Sequence, residues 1–422
     1  MGNDVDVDVR MRGFSRRMEV AAARSLILSR CSPLEPCPVP LAEAWDRVLA
    51  VDVVAPRDVP PFRRAAMDGY ALRAEETFGA SSYSPIEFHL VGESLPGAAF
   101  EGSVGTGEAV RIMTGAPVPD GANAVVMAEY ARETDDRVAV MEPVPPGKNV
   151  SEPGEDIRKG TVVLKAGRRL RPQDVGVLSS LGISEVLVHR RPRVRLVITG
   201  NELLPAGSEP MGHKIVDANS VILDALVRRD GGVPDMPGIV PDNRDAIEQA
   251  IVQNDADVIL VSGGTSVGRE DHAPLIVASR GELLVHGVAM RPSSPTGFGV
   301  VEGKLVFLLP GNPVSCLAAY DIFAGPAIRR MGGRSTRLPY ATCKLPLARK
   351  ITSALGRLDY VRVKVEEGKV EPIATSGASI LSSAVFADGF VLVPPDSEGF
   401  PPGEDVLVYL YDPTPLPAAD NE

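Results

Sequence analysis

Three apolar runs, each followed directly by a loop of small and polar residues, constrain the fold of this chain more than any other feature. Each run and its loop are consecutive: 193–198 with 199–202, 257–261 with 262–271, and 304–309 with 310–313. Runs rich in β-branched residues and leucine are typical of buried strands in a parallel sheet. Because helical patterns lie between them, the loops are predicted to gather at the carboxyl ends of the strands, where open α/β sheets bind ligands.

The chain has 422 residues, which predicts several domains of roughly 100–200 residues each. The predicted fold class is α/β plus β, with a central α/β domain on a mostly parallel sheet. The predicted parts are a disordered tail at 1–12, a discontinuous helical linker domain at 13–56 plus 159–191, a β-rich domain at 57–158, the α/β domain at 192–334, and a small β barrel or sandwich at 335–415.

Local patterns predict individual elements within these domains. Residues 15–30 have helical spacing and predict a first helix, and 217–230 and 244–254 predict two more. Asn312 as an N-cap and Pro313 at the first helical position predict a helix that runs to about residue 330. Alternation through residues 360–365 predicts a strand with Tyr, Arg and Lys on one face and valines on the other.

Composition excludes several classes of protein. The net charge is −11 and there is no long basic run, so no nucleic-acid partner is expected. No apolar stretch approaches the roughly 20 residues of a membrane helix, and residues 1–17 lack the apolar core of a signal peptide. The four cysteines form no CxxC pair, so neither zinc nor disulfides are expected, and a cytoplasmic location is predicted: Cys31, Cys37, Cys316 and Cys343.

The loop at 262–268 is the first candidate ligand site. Its glycines and serines follow a strand, and backbone N–H groups in such loops can bind phosphate. It is neither a Walker loop nor a dinucleotide-binding GxGxxG turn. A tight strand-to-helix connection with no ligand is the competing interpretation. Two turn-rich segments, 60–71 and 111–122, are more often structural turns when each is taken alone.

Three carboxylates, Glu202, Asp242 and Asp271, fall just beyond predicted strands or within their loops. Clustered carboxylates suit a hard cation such as Mg²⁺ that is shared with substrate oxygens. Solvated loop charge is the competing interpretation for each one. The five histidines show neither metal-ligand nor triad spacing, so none is given a catalytic role.

Taken together, these segments resemble the MoeA/gephyrin family, the molybdopterin molybdenumtransferases. The matching stretches occur in the family's order along the chain: 67–70, 111–116, 154–157, 199–202, 262–271, 310–315 and 376–383. The resemblance implies dimers of elongated four-domain subunits, with a MogA-like α/β domain and a C-terminal β-barrel. Its active site would form between the α/β domain of one subunit and the β-rich domain of the other.

The resemblance also implies roles for particular residues. Catalytic roles fall on Asp68, Thr114, Asp156, Glu202, Asp242 and Asp271. The metal ligands would be Glu202, Asp242 and Asp271. Binding of the pterin substrate falls on Ser262, Gly263, Gly264, Ser266, Gly268, Arg291, Pro310, Gly311, Asn312 and Pro313. The family usually has Asp where this chain has Asn201, and Lys-Pro-Gly-Lys-Pro where this chain has residues 291–295.

The implied reaction is the insertion of molybdenum from molybdate into adenylylated molybdopterin, with release of AMP and dependence on Mg²⁺. The implied partners are these substrates, a second copy of the chain and a molybdopterin adenylyltransferase. Two other hypotheses are considered. One is a catalytically weak paralogue that binds molybdopterin or acts as a scaffold, and the other is an adenylyltransferase, which would lack the β-rich domain with Asp68 and Thr114.

Overall fold

The computed structural model describes residues 17–264, 271–374 and 377–412, which divide into two compact units. The larger unit comprises Met1–Cys37, Asp46–Val48 and Val188–Glu422, and the smaller comprises Pro38–Trp45 and Leu49–Leu187. As predicted, the chain is not built around a single core, because separate apolar clusters fill each unit. The tail predicted at 1–12 lies outside the described residues.

A six-stranded sheet forms the main body of the smaller unit. Its strands follow the order Ala124–Met127, Gly69–Leu72, Glu108–Ile112, Ile86–Ser94, Arg137–Val140 and Ala131–Thr134. One pair, Ile86–Ser94 with Glu108–Ile112, is parallel, and the others are antiparallel. Side chains such as Phe88, Val126 and Val138 are fully buried between this sheet and its loops. The predicted β-rich character of this region is confirmed.

Short elements complete the smaller unit. Two-stranded pairs join Arg64–Ala65 to Val150–Ser151 and Val53–Val54 to Val162–Leu164. A helix spans Pro172–Ser180, with Pro172 in its first turn. Single turns of 3₁₀ helix lie at Leu41–Glu43, Ala74–Thr77 and Ala128–Tyr130. Strands Pro36–Pro40 and Glu185–His189 lie where the chain passes between the two units.

The central sheet of the larger unit has seven strands. Its order is Val233–Asp235, Arg193–Thr199, Val258–Ser262, Lys304–Leu309, Gly297–Val301 and Gly281–His286, and Ile239–Val240 also pairs with Arg193–Thr199. The three strands predicted from apolar runs lie side by side and parallel. Gly297–Val301 runs antiparallel to both of its neighbours, Lys304–Leu309 and Gly281–His286. The sheet is therefore mixed, mostly parallel at its centre, as predicted.

Helices cover this sheet. They are Asn219–Arg229, Arg244–Val252, Ala273–Arg280, Pro313–Ala319 and Gly325–Met331, with a π-helical turn at Tyr320–Ala324 between the last two. Asn243 caps the second of these, because its Oδ1 accepts a hydrogen bond from the Ala246 N–H at 2.9 Å. Asn312 occupies the N-cap position as predicted, but its side chain makes no capping hydrogen bond. Pro313 is at the first helical position.

The C-terminal strands form another six-stranded sheet. Its order is Met290–Arg291, Leu358–Glu366, Gly389–Val393, Asp405–Leu410 and Ala341–Pro346, with Lys369–Ala374 also paired to Leu358–Glu366. The pair Ile351–Thr352 with Gly399–Phe400, the parallel pair Leu203–Leu204 with Ile215–Val216, and the short helix Ser382–Val385 lie outside these sheets. The pairings among these strands follow an open order, so closure into a barrel stays a prediction.

The strand Leu358–Glu366 shows the predicted alternation, but both of its faces are buried. On one face, Tyr360 stacks on Phe390 with ring centroids 4.1 Å apart, and both belong to the core that includes the central sheet. On the other face, Val361 and Val363 fill a second core. The aromatic core explains why this face is not solvated.

The first helix is Val20–Ser29, shorter than the predicted 15–30. Its Ala23 and Ile27 belong to the core of the larger unit, whereas most of the segment 159–187 belongs to the smaller unit. Contacts thus divide the predicted linker domain between the two units, and its boundaries, like those of the other domains, stay predictions. No helix within the described residues is both long and apolar enough to cross a membrane.

Candidate active site

The three strand-ending loops meet at the carboxyl edge of the central sheet. A Cβ atom on Gly263 would lie only 2.4 Å from the main-chain oxygen of Thr199, and Gly263 has a φ of +98°. A Cβ atom on Gly311 would lie 3.6 Å from the Cα atom of Gly263. The second loop therefore lies between the first and the third, and only glycine fits at position 263. The predicted convergence of these loops is confirmed.

Asn219 ties two of these loops together. Its Nδ2 donates hydrogen bonds to Ser262 Oγ at 2.9 Å and to the Gly311 carbonyl at 2.7 Å. Because a carbonyl only accepts, the nitrogen of this amide must face Gly311. The sequence prediction missed Asn219. A signal was available, since it is the first residue of a helix that follows the strand edge.

Among the described residues, three polar atoms at this edge are buried without a hydrogen-bond partner. They are Thr199 Oγ1, Asn219 Oδ1 and Asp242 Oδ1. An unsatisfied buried polar group costs about 1–3 kcal/mol, so such groups normally have a partner. Their grouping near the loops indicates an edge that is completed by the polar groups of a ligand.

Asn201 and Asp242 hold each other in place. The Asn201 N–H donates to Asp242 Oδ2 at 3.2 Å, and the Asp242 N–H donates to Asn201 Oδ1 at 3.3 Å. Glu202 is exposed beside them, and Asp271 is half-buried at the start of the next segment. Within the described ranges, no group of three His, Cys, Asp or Glu residues is close enough to hold a metal ion. The predicted metal ligands are therefore not assembled by these side chains alone.

A cleft of about 790 Å³ adjoins the third loop. Pro310, Asn312 and Ser315 line one side, and the loop at 291–295 lines another. Four arginines are among the residues that line this space: Arg17, Arg291, Arg357 and Arg362. A cavity of this size accommodates a small-molecule ligand, and the arginines select an anionic one.

Asp359 organises two of these arginines. It is buried, and its carboxylate accepts hydrogen bonds from Arg291 Nη2 at 2.5 Å and from Arg357 Nε at 2.8 Å. Arg291 Nε is buried and has no hydrogen-bond partner among the described residues. Arg362 is also buried, and burial lowers the pKa of its guanidinium. Two guanidinium groups thus share the Asp359 carboxylate, which leaves the cleft able to bind an anion. Of these arginines, the sequence predicted only Arg291.

The loop at 291–295 is strained at Ser293. This residue has a φ of +96°, a conformation that glycine adopts readily and serine rarely does. Its hydroxyl donates to the main-chain oxygen of Ser315 at 2.6 Å, within a buried environment. Strain of this kind costs about 1–3 kcal/mol and is concentrated at functional sites. The observation supports a binding role for the loop.

Cys316 lies beneath the site, with its sulfur 3.8 Å from Ser262 Oγ. Burial raises the pKa of this thiol to about 12. The thiolate form, which is the reactive one, is therefore scarce at neutral pH. Cys316 is a packing residue and not a nucleophile.

In the smaller unit, Asp68 and Thr114 are in direct contact. Asp68 Oδ1 accepts a hydrogen bond from the Thr114 N–H at 2.6 Å and from its hydroxyl at 2.7 Å. The backbone bond, and next the hydroxyl bond, hold the pKa of the Asp68 carboxyl below its usual value. Both residues are exposed, so they are available to a ligand. Asp156 is also exposed and lies on a separate loop, where its N–H donates to the Val59 carbonyl.

Some of the remaining predicted site residues lie within the described ranges and others lie outside them. Ser262 is buried, Gly264 and Pro313 are half-buried, and Gly311 and Asn312 are exposed at the edge of the sheet. Ser266 and Gly268 lie outside the described residues.

Comparison with known protein families covers most of the chain. Residues 18–182 match the MoeA N-terminal region, domains I and II. Residues 195–330 match a probable molybdopterin binding domain, and residues 344–411 match the MoeA C-terminal region, domain IV. The chain belongs to the MoeA family. It is thus a protein of molybdenum cofactor biosynthesis with the family's multidomain fold of mixed sheets and few helices, as the sequence motifs predicted.

Individual relatives agree with this assignment. A putative molybdopterin biosynthesis protein of Methanocaldococcus jannaschii is 39% identical over 88% of this chain and 91% of its own length. A molybdopterin molybdenumtransferase of Staphylococcus aureus is 33% identical over 96% of this chain and 97% of its own length. A crystal structure of a MoeA protein from Pyrococcus horikoshii OT3 matches with a TM-score of 0.78 and 37% identity, over 94% of this chain and all of that one.

Proposed function

We propose that this MoeA-family protein inserts molybdenum from molybdate into adenylylated molybdopterin and releases AMP. The enzyme class, molybdopterin molybdenumtransferase, follows from near full-length similarity to curated enzymes of that name. The observation that carries the proposed reaction is the cleft with Arg291, Arg357 and Arg362 beside the edge of the central sheet. It offers several cations to substrates that are themselves anions: molybdate, a pterin phosphate and an adenylyl phosphate.

The two parts of the site suit two parts of the substrates. Thr199 Oγ1 and Asn219 Oδ1 are buried, have no hydrogen-bond partner among the described residues, and suit the N–H donors of a pterin or a nucleotide base. The guanidinium groups of the cleft suit phosphate or molybdate oxygens, which they bind in a bidentate manner. Such fixed charges would stabilise the negative charge that develops when the phosphoanhydride breaks.

A divalent cation such as Mg²⁺ would be held by Glu202, Asp242 and Asp271, and when bound it would neutralise the phosphoanhydride. The residues present supply only some of the oxygen ligands that a hard cation needs. Asp242 Oδ1 is a buried oxygen without a partner. Since the described side chains do not form a three-ligand cluster, substrate oxygens and water would have to supply the remaining ligands.

No protein nucleophile enters the proposed reaction. Cys316 is the buried thiol nearest the loops, and it is protonated at neutral pH. Attack on the adenylyl phosphorus would come from an oxygen of water or of molybdate, and that oxygen would remain on AMP. The broken P–O bond would leave its oxygen on the pterin phosphate. Two Mo–S bonds would form as one molybdenum–oxygen bond breaks. With water as the attacking group, that oxygen would leave as water with the two thiol protons; with molybdate as the attacking group, it would stay on AMP and the thiol protons would pass to solvent.

We further propose that the protein acts as a homodimer in the cytoplasm, with Asp68, Thr114 and Asp156 of one subunit facing the other subunit's central sheet. The candidate groups divide between the two compact units, which is the observation that motivates this proposal. Light scattering at micromolar concentration is expected to give twice the monomer mass of 44.7 kDa. A monomer at that concentration would contradict a shared site.

The reaction is tested by incubating the purified protein with adenylylated molybdopterin and Mg²⁺, with and without molybdate. AMP is expected to appear with molybdate, in step with the metal-loaded pterin. Phosphate is expected not to replace molybdate, because it cannot accept the dithiolene sulfurs. Equal AMP release without molybdate would contradict the insertase. Pterin binding without AMP release under any oxyanion would favour the scaffold, and formation of adenylylated molybdopterin from ATP would favour an adenylyltransferase.

A further inference from the structure

A second cluster of basic side chains lies in the larger unit, apart from the cleft described above. Its recess is lined by Asp46, Arg47, His189, Arg191 and Arg334, together with Val48, Gly231 and Gly332. Three guanidinium groups thus surround one carboxylate. None of these residues belongs to the candidate active site.

The carboxylate of Asp46 forms an ion pair with Arg334. Arg334 Nη2 donates to Asp46 Oδ2 at 2.7 Å and to the Asp46 carbonyl at 2.9 Å, and its Nη1 donates to the Arg229 carbonyl at 3.1 Å. Arg47 Nη2 donates to the neutral carbonyl of His189 at 3.2 Å. Among the described residues, Arg191 Nε is buried and has no hydrogen-bond partner. Three guanidinium groups therefore share one carboxylate, which leaves a surplus of positive charge in the recess.

The recess is held in a fixed shape. A Cβ atom on Gly231 would lie 2.4 Å from Cζ of Arg334, and one on Gly333 would lie 2.4 Å from the imidazole ring of His189. Both glycines have positive φ angles, so the chain makes room for these two side chains with residues that suit the conformation. His189 Nδ1 bonds the Leu34 carbonyl at 3.0 Å, which fixes the ring. Burial, and next the charge of Arg47, lower the pKa of Arg191, and the charge of Asp46 opposes this shift.

We propose that this recess is an oxyanion-binding site in which Arg191 Nε and the guanidinium of Arg47 bind a tetrahedral anion such as phosphate. The recess is open to solvent and has a volume of about 10 Å³, which is room for one oxygen atom. The anion would therefore insert one oxygen toward Arg191 Nε and keep its other oxygens at the mouth of the recess. It would satisfy the buried Arg191 Nε and offset the positive charge that Asp46 alone does not balance.

The single tryptophan of the chain, Trp45, directly precedes Asp46 and is 59% exposed. Its fluorescence therefore reports on this segment. Titration of the full-length protein with inorganic phosphate, at constant ionic strength, is expected to give a saturable change in Trp45 emission and a rise in Tm that follows the same saturation. Sulfate is expected to act like phosphate, and acetate is expected to bind at least about tenfold more weakly because it offers fewer oxygens.

Arg191→Gln is expected to weaken phosphate binding at least tenfold and to abolish the rise in Tm. Without phosphate, this variant is expected to melt no lower than the wild type, since it loses a buried, unpartnered donor. Arg47→Gln provides an independent variant with the same expected loss. Arg349→Gln is the matched control, because it removes one exposed arginine charge from the C-terminal region, where Arg349 pairs with Glu371.

Arg291→Gln distinguishes phosphate binding at the recess from phosphate binding at the cleft. The Trp45 response is expected to persist in this variant, whether or not the insertase reaction is confirmed. The proposal is overturned if phosphate gives no saturable response, if Arg191→Gln and Arg47→Gln bind like the wild type, or if Arg291→Gln abolishes the response.

Discussion

The Asn219 side chain donates a hydrogen bond to the main-chain oxygen of Gly311, 92 residues away along the chain, at 2.7 Å. The same nitrogen also bonds Ser262 Oγ, so one amide fixes the distance between two loops of the candidate site. Asn219→Ala is expected to lower turnover on the order of tenfold or more, since small displacements of binding groups have large kinetic effects. Two lost hydrogen bonds should lower the free energy of unfolding by about 2 kcal/mol. Steady-state kinetics and urea denaturation measure the two effects.

Val221→Ala, at an exposed position of the same helix, is the control for Asn219→Ala and should leave turnover unchanged. Asn219→Asp should behave like the alanine variant, because a carboxylate cannot donate to the Gly311 carbonyl. Wild-type turnover in either Asn219 variant would show that the loops keep their spacing without this amide.

Asp271→Asn is expected to abolish AMP release while the free energy of unfolding changes by no more than about 0.5 kcal/mol. Asp271 is half-buried at the end of the Gly-rich loop, and the substitution keeps its shape but removes the charge proposed for cation binding. The AMP assay and thermal denaturation test the two parts. Retained AMP release, or a large fall in Tm, would make the residue structural.

Asn201→Asp is expected to preserve or raise activity. The carboxylate can still accept the hydrogen bond that the Asp242 N–H gives to Asn201 Oδ1, and it adds a negative oxygen to the proposed cation site. The dependence of AMP release on Mg²⁺ concentration is the measurement, and the variant should need less Mg²⁺. Loss of activity would mean that the neutral amide is required beside Asp242.

Asp359→Asn is expected to lower the free energy of unfolding by about 2 kcal/mol, because the guanidinium groups of Arg291 and Arg357 lose their carboxylate. Both arginines are partly exposed, so solvent limits the cost. Chemical denaturation measures the change, with Asp405→Asn at an exposed position of another strand of the same sheet as the control. A stability equal to wild type would show that the arginines are held by other contacts.

The Asp68 carboxyl is expected to titrate below its usual value of roughly 3.9. Since its folded pKa is lowered by the Thr114 backbone and hydroxyl bonds, the resulting stabilisation is present above the ordinary pKa and is lost as pH falls through the lowered one. Thr114→Ala should raise the pKa only part of the way, because the backbone N–H remains. Carboxyl ¹³C NMR titration measures it, and Thr114→Ser should match the wild type. An unchanged Asp68 pKa in Thr114→Ala would show that the Thr114 hydroxyl does not contribute to the lowered pKa.

The order of the site's loops was predictable from the sequence. Apolar runs such as 258–261 are buried wherever they occur in a parallel sheet, and the residue that follows each run must lie at the same edge. This local rule placed Thr199, Gly263 and Gly311 together before any contact was known. The motifs in fixed order then predicted the family, because several independent loops are far more specific than one.

The groups that complete the site depended on the tertiary structure. The helix start at Asn219 does not show that its amide joins two distant loops, and no local pattern shows that Arg357 and Arg362 line one cleft, because these groups meet only after the sheets have packed. The face of the 358–366 strand that carries Tyr360 is buried for the same reason. Tyr360 packs there against an aromatic core of distant residues. The sequence by itself determined which backbone segments form strands and which loops share an edge, because strand periodicity and chain direction are local properties. Which charges face each other, and which polar atoms stay buried without a partner, was decided only by long-range packing.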